Sequence, residues 1–394
     1  MSRHQPIFFI ALGLFGLYCI EFGVVGILPV IIDRFSVTPA KAGWLVGLFA
    51  LVIAVLGPFL VLLASRLRRK RILIISLLVF AGVSVASAYA PAFDGLLWLR
   101  VLPALFHPIY FSLAMVTAMS LYPKEQTTQA TAHAFIGTSM GMVLGIPITT
   151  WVADQFSYQA SFLFCAAVNL AAAIGLIISL PEASSPQRLS YGSQLAILKK
   201  PALWLNIAAS TLIFAAMFSV YAYAAQYLTQ QTHLDARAIS LLLILFGVGG
   251  VLGNLLAARW LSSNKVRTTL LHPIALGTAY CLLYALGSPT MPSMIAIMLF
   301  WGAAHTSGLI VTQVWLTSET QEAPEFGTGL YISFINLGVT VGSMSAGWFI
   351  DWMGMTGTIV SGLLFAGLAV LVIGTKVLLD KRKLAHRVSG VRVA

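Results

Sequence analysis

Charge is scarce in this chain. Only 9% of its 394 residues are charged, and 12 Asp and Glu stand against 23 Lys and Arg. A soluble protein of this length could not cover its surface with so few ionised side chains. Cysteine is scarce too. Cys19, Cys165 and Cys281 all lie in apolar runs without ligand spacing, which gives neither a disulfide framework nor a metal site. No glycine-rich loop leads into Lys-Ser or Lys-Thr, so ATP hydrolysis is not expected as the energy source. Nothing resembles a Ser-His-Asp or paired-acid set, and His-x-x-x-His and Cys-x-x-Cys are absent. The expectation is a protein with no catalytic residues, no metal and no cofactor, and not an enzyme.

What the chain has is apolar length. Hydrophobic residues make up 59% and mean hydropathy is +0.92. Stretches long enough to cross a bilayer as helices recur throughout. They predict an all-α polytopic membrane protein with twelve spans, near 7–30, 43–64, 71–90, 95–119, 131–153, 160–180, 203–228, 238–260, 268–288, 291–315, 327–350 and 356–378. The first span has no small-residue cleavage site behind it and reads as a retained helix.

The net charge of +11 does not point to nucleic acid, because the basic residues cluster in short loops and at the C-terminus. With both termini inside, Arg3, Arg66 to Arg71, Lys124, Arg188, Lys199, Lys200, Arg259, Lys265, Arg267, Lys376 and the tail bases face the cytoplasm. Only Arg34, Lys41 and Arg237 lie outside. That bias implies cytoplasmic N- and C-termini. The longest loop, 181–201, carries Pro181, Pro186, Gly192 and Pro201 and suits a cytoplasmic linker between bundles 1–180 and 202–394.

The halves repeat each other. Gly141, Gly145, Trp151 and Asp154 are matched by Gly338, Gly342, Trp348 and Asp351 at an offset of 197. His107 matches His305 at 198, and Val-Leu-Gly at 55–57 returns at 251–253. Span n thus pairs with span n+6 in the same orientation, a parallel repeat. Two pseudo-symmetric six-helix bundles about a central path make a transporter plan that is complete in a monomer.

Glu21 is the one charge between Gln5 and Ile32. It lies about fourteen residues, roughly 21 Å, into the first span. A carboxylate there must face a partner, the protein interior or a water-filled cavity. It either binds and releases a proton during transport or anchors structure. Arg100, five residues into span four, could pair with Glu21 or hold helix ends together. His107, two turns deeper, could carry a proton, bind solute or simply pack. Tyr110, Tyr221, Tyr223, His305, Gln313, Trp315 and Asn336 supply hydroxyl, amide and aromatic groups for a neutral or amphipathic solute. Gly137, Gly141 and Gly145 form a bare stripe on span five, followed by Pro147. The stripe is either ordinary close packing or a bendable contact that gates the path. The basic run holding Arg66 and Arg69 reads as an orientation signal on anionic membrane lipid, as a gating latch, or as both.

These motifs resemble the major facilitator superfamily over the whole chain. Within it they are similar to the drug:proton antiporter branch that holds bacterial arabinose and sugar efflux transporters. The stretches that carry the resemblance are EFGVVGILP at 21–29, RVLPALFHPIYF at 100–111, VLGIPITTWV at 143–152, FWGAAH at 300–305 and FINLG at 334–338. The resemblance implies the major facilitator fold in a bacterial inner membrane and efflux driven by a proton gradient, with Glu21 as coupling acid. It also marks Tyr221, Tyr223, Gln313 and Asn336 as cavity residues. The chain departs from the family pattern after span two, where Ser65 stands in place of an acid and Arg68 in place of Gly. It departs again at Tyr158-Gln159, where Trp-Arg is frequent. Proton symport, uncoupled facilitation and a non-transporting receptor or scaffold are the competing readings.

Overall fold

A computed structural model describes residues 4–37, 39–181, 190–232, 236–286 and 291–391. Most of the linker between the halves, 182–189 with Arg188 and Pro186, lies outside the described residues, as does Arg392. The side chains of Arg3, Lys124, Arg237, Lys383 and Arg387 lie outside them too.

Twelve long helices are present among the described residues: α1 (His4–Gly26), α2 (Pro39–Ala64), α3 (Arg69–Ala88), α4 (Phe93–Ser120), α5 (Thr127–Gln155), α6 (Tyr158–Ser179), α7 (Pro201–Tyr221), α8 (Ala236–Ser263), α9 (Lys265–Leu286), α10 (Met291–Thr317), α11 (Pro324–Met353) and α12 (Gly357–Val391). Short helices Leu28–Phe35 and Ala224–Thr232 continue α1 and α7 after a break. The starts follow local chemistry. Pro201 and Pro324 open α7 and α11 where a missing N–H costs nothing. Ser157 caps α6 by accepting the Ala160 N–H at 3.1 Å.

The expected count of twelve crossings needs correction. Nine stretches among the described residues are long and apolar enough to cross a membrane, or ten when the two arms of α5, bent by 47° between Gly145 and Pro147, count as one. One of the nine, Pro324–Arg382, contains both α11 and α12. Helix α9 falls outside the set, because Lys265, Arg267, three threonines, His272 and Pro273 dilute its apolarity.

The helices form two bundles with one packing plan. In the first, α1 packs on α5 and α6, α2 on α4, and α3 on α4 and α6. In the second, α7 packs on α11 and α12, α8 on α10, and α9 on α10 and α12. Each pair recurs with both numbers raised by six. The glycine stripe explains the closest approach. A Cβ at Gly137 would overlap Ala11 O, one at Gly141 would lie 2.6 Å from Tyr18 Cβ, and one at Gly145 3.3 Å from Cys19 Cα, all on α1. Gly338 and Gly342 meet α7 in the same way, at Thr211 O and Ala215 O. Between the bundles, α2 and α4 meet α11, while α5 meets α8 and α10.

Candidate functional site

Helices α1, α2 and α4 build the centre of the first bundle. The Glu21 carboxylate and the His107 ring share a hydrogen bond, Oε2 to Nε2, at 3.1 Å, with His107 fully buried and Glu21 7% exposed. Three aromatic rings enclose the imidazole: Tyr18 and Phe49 edge-on at 5.6 and 5.8 Å, and Phe111 stacked at 6.4 Å. His107 and Phe111 share a face because they are four residues apart on one helix. The ring's Nδ1 has no partner.

Arg100 does not reach the Glu21 carboxylate. It donates to three main-chain carbonyls, Ile20 O at 2.6 Å, Leu45 O at 3.1 Å and Glu21 O at 3.2 Å. Its guanidinium lies over the Phe49 ring, 4.6 Å from the centroid. A planar fork with five donors suits three carbonyls converging from two helices. Arg100 also borders a void of about 20 Å³ with Ser84, Ser87, Thr149 and Ser161, large enough for one water. The side chain that contacts the Glu21 carboxylate is thus His107.

In the second bundle the structure brings Tyr221 and His305 together, rings 4.7 Å apart, with Phe246 and Phe218 at 5.2 and 5.7 Å from the imidazole. Neither His305 ring nitrogen has a partner. A small void of about 10 Å³ here is shared with Met142 and Val143 of α5, so it lies between the bundles. The other cavity candidates lie elsewhere. Tyr110 is buried within the first bundle, its hydroxyl on Ile10 O at 3.4 Å and its ring beside Phe80. Tyr223 donates to Ser343 O at 3.2 Å. Gln313 donates to Thr328 Oγ1 at 3.4 Å, and Trp315 lies under the Lys376 ammonium. Asn336 donates back to its own helix at Ile332 O.

Helices α2, α3 and α4 of the first bundle meet α11 of the second. Arg69 Nε meets Glu325 Oε1 at 2.6 Å, Ser112 Oγ donates to Glu325 O at 2.6 Å, and Ser333 Oγ to Ile53 O at 3.2 Å. Ser65, standing where the family has an acid, accepts Gln194 Nε2 at 2.9 Å, and Arg66 lies 4.1 Å from the Tyr191 ring centroid. The linker's last turn is therefore held by the basic loop. Nearby, the Lys200 ammonium on Glu322, at 2.7 Å, holds that carboxyl below the usual carboxylate range.

Sequence reasoning missed Glu325, Tyr18, Phe111 and Tyr331. The signal for Glu325 was an acid in the first turn of an apolar helix, directly after Pro324. Tyr331 stacks on Phe111 across the bundle boundary at 6.1 Å and donates to Leu309 O at 2.9 Å. It connects the surroundings of His107 to the second bundle, a link that no spacing along the chain reveals.

Comparison with known proteins fits this geometry. The Major Facilitator Superfamily profile matches residues 10–324 and 207–393. The chain belongs to this family. It is 30% identical over 374 residues to the inner membrane transport protein YdhP of Escherichia coli, covering 95% of this chain and 96% of that one. It is 25% identical over 335 residues to a protein of Mannheimia succiniciproducens named a probable sugar efflux transporter, covering 85% and 84%. The crystal structure of the Escherichia coli fucose:proton symporter FucP superposes with a TM-score of 0.74 at 12% identity, over 95% of this chain and 99% of that one. This major facilitator is accordingly a secondary transporter of small solutes and not an enzyme. No group of three or more His, Cys, Asp or Glu able to hold a metal occurs among the described residues.

Proposed function

We propose that this chain is a proton-coupled transporter of a small uncharged or amphipathic solute, working by alternating access as a multi-pass protein of a bacterial inner membrane. The Glu21–His107 pair carries the reading. With one proton between them the pair is neutral. Without it, a carboxylate stands unbalanced among aromatic rings, which is costly unless water reaches the site. Protonation is then tied to which side admits water, and that is the requirement for coupling. Arg100 acts as a positioning residue that holds α1 and α2 against α4 so that Glu21 stays beside His107.

The solute contacts in this reading are Tyr221 and His305. Aromatic faces with an unpartnered imidazole suit a hydroxylated, uncharged molecule. The printed names of the relatives include sugar efflux and fucose:proton symport, which agree on that class and differ in direction. The motif-based expectation of efflux therefore does not lead. The cytoplasmic ends are joined at Arg69 and Glu325, while Glu21 lies past the midplane toward the outside, so in this state a proton would reach Glu21 from outside. Such a state belongs to symport and antiport cycles alike, and the transport measurement below decides the direction, with inward symport tested first. In this reading both termini lie inside, bundles 1–180 and 202–394 are the moving bodies joined through 181–201, and one chain makes a complete path. The glycine stripe with Pro147 and the Arg66–Arg69 loop are the hinge and the latch.

The test uses vesicles of native orientation with an imposed inward proton gradient and a panel of sugars and amphipathic compounds. Accumulation above equilibrium that collapses with a protonophore supports symport. Expulsion under the same gradient reverses the direction, and equilibration indifferent to the gradient contradicts coupling.

A further inference from the structure

Away from the centre, α8, α9 and α10 leave an open groove of about 550 Å³ in the second bundle. Its walls are apolar, with Leu256 from α8, Leu271 from α9 and Phe300 from α10. Small residues create the depth, since Gly253, Ala257, Ala303 and Ala304 present no bulk. From Arg267 to Ala275 the groove follows nine residues of α9, about 12 Å.

Its cytoplasmic end is different in kind. Ser263, Asn264 and Arg267 line it there, at the turn between α8 and α9, and the indole of Trp260 stands beside them, 60% exposed. Asn264 Oδ1 accepts the Arg267 backbone N–H at 2.9 Å, which leaves the asparagine amide N–H groups as donors. The Arg267 side chain is exposed and makes no salt bridge among the described residues, and no acid lines the groove. Deeper in, buried His272 donates Nε2–H to Ala304 O at 2.8 Å while its Nδ1 has no partner.

We propose that this groove binds one anionic phospholipid of the cytoplasmic leaflet. The headgroup phosphate sits on Arg267 and Asn264, the glyceryl region lies level with Trp260, and an acyl chain fills the channel between Leu256, Leu271 and Phe300. A cationic mouth without an acid selects an anionic headgroup over a zwitterionic one, and an indole at that depth is a membrane-interface anchor. The apolar shaft requires a chain and gives a free anion nothing to hold.

Full-length protein stripped of lipid by detergent exchange is titrated with dioleoylphosphatidylglycerol, dioleoylphosphatidylcholine or inorganic phosphate. Bound molecules are counted by native mass spectrometry, and thermal unfolding checks that each variant folds. One phosphatidylglycerol per chain is expected, with at least a tenfold preference over phosphatidylcholine. Arg267→Gln should remove most of that preference, and Leu271→Trp, which fills the groove from its exposed rim, should remove retention altogether. Equal retention of the two lipids by the wild type overturns the proposal, as does undiminished retention in either folded variant. Protection by inorganic phosphate equal to that by phosphatidylglycerol overturns it too, because the site would then hold an anion without a chain.

Discussion

At Arg100, one buried side chain adds a charge-assisted hydrogen bond to three main-chain carbonyls on two helices. Arg100→Met removes all three, at roughly 1.5–3 kcal/mol for a hydrogen bond to a charged group. The expected outcome is a large fall in the unfolding midpoint in detergent, with Arg100→Lys intermediate because an ammonium lacks the planar fork. Glu21 and His107 behave asymmetrically. His107→Phe strands a carboxylate, whereas Glu21→Gln removes the charge and keeps a hydrogen-bonding group on the imidazole. The first should therefore destabilise the protein more than the second, by roughly 1–3 kcal/mol, read as the difference between their unfolding free energies. The reverse order would mean that the pair carries no charge in the folded protein. Much of this site was legible in the chain. A lone acid in a long apolar run, with an arginine and a histidine seven residues apart on another span, singled out three side chains that the structure brings together. Which of the two bases takes the carboxylate was not legible, since it depends on how α1 and α4 are rotated against each other.

Between elements, the governing contact is α1 on α5. The glycine stripe makes it graded, because an added methyl at Gly137 meets main-chain oxygen while one at Gly145 meets only ordinary tight packing. Gly137→Ala should cost roughly 1–3 kcal/mol as overpacking, and Gly145→Ala clearly less, measured by denaturation in the same detergent. Equal losses would show that the stripe yields along its whole length. The repeat at offset 197 anticipated that Gly338 and Gly342 play the same part against α7, and the packing follows it. The number of crossings was less legible. Hydropathy merges α11 with α12 and passes over α9, where bases, threonines and a proline are tolerated by packing against α10 and α12. The residues proposed to meet solute were the least legible of all. Polar side chains such as Tyr110, Gln313 and Asn336 satisfy themselves within their own bundles, and composition does not separate them from Tyr221 and His305.

For the whole molecule, the two bundles are joined by Arg69 and Glu325, a part-buried, charge-assisted contact that the proposed orientation puts at the cytoplasmic side. Such a bond contributes roughly 1.5–3 kcal/mol. Glu325→Gln should therefore shift the balance toward an inward-open form by about tenfold or more, read as faster alkylation of a cysteine placed at Val61, which packs against Gly329 of the other bundle. Exchanging the charges, Arg69→Glu with Glu325→Arg, should restore slow alkylation. Failure of that rescue would show the contact to be incidental. The pseudo-twofold plan supplies two bodies, and this contact holds one side of their boundary while the Glu21–His107 pair lies toward the other.

The central claim, that Glu21 exchanges a proton as the bundles move, is tested most directly by comparing two modes of transport in one protein. Solute counterflow needs no net proton movement, whereas gradient-driven accumulation does. In proteoliposomes, Glu21→Gln should retain counterflow at near the wild-type rate and lose accumulation driven by a pH gradient. If Glu21→Gln still accumulates solute against its gradient, the carboxylate is a structural anchor and proton coupling does not run through it.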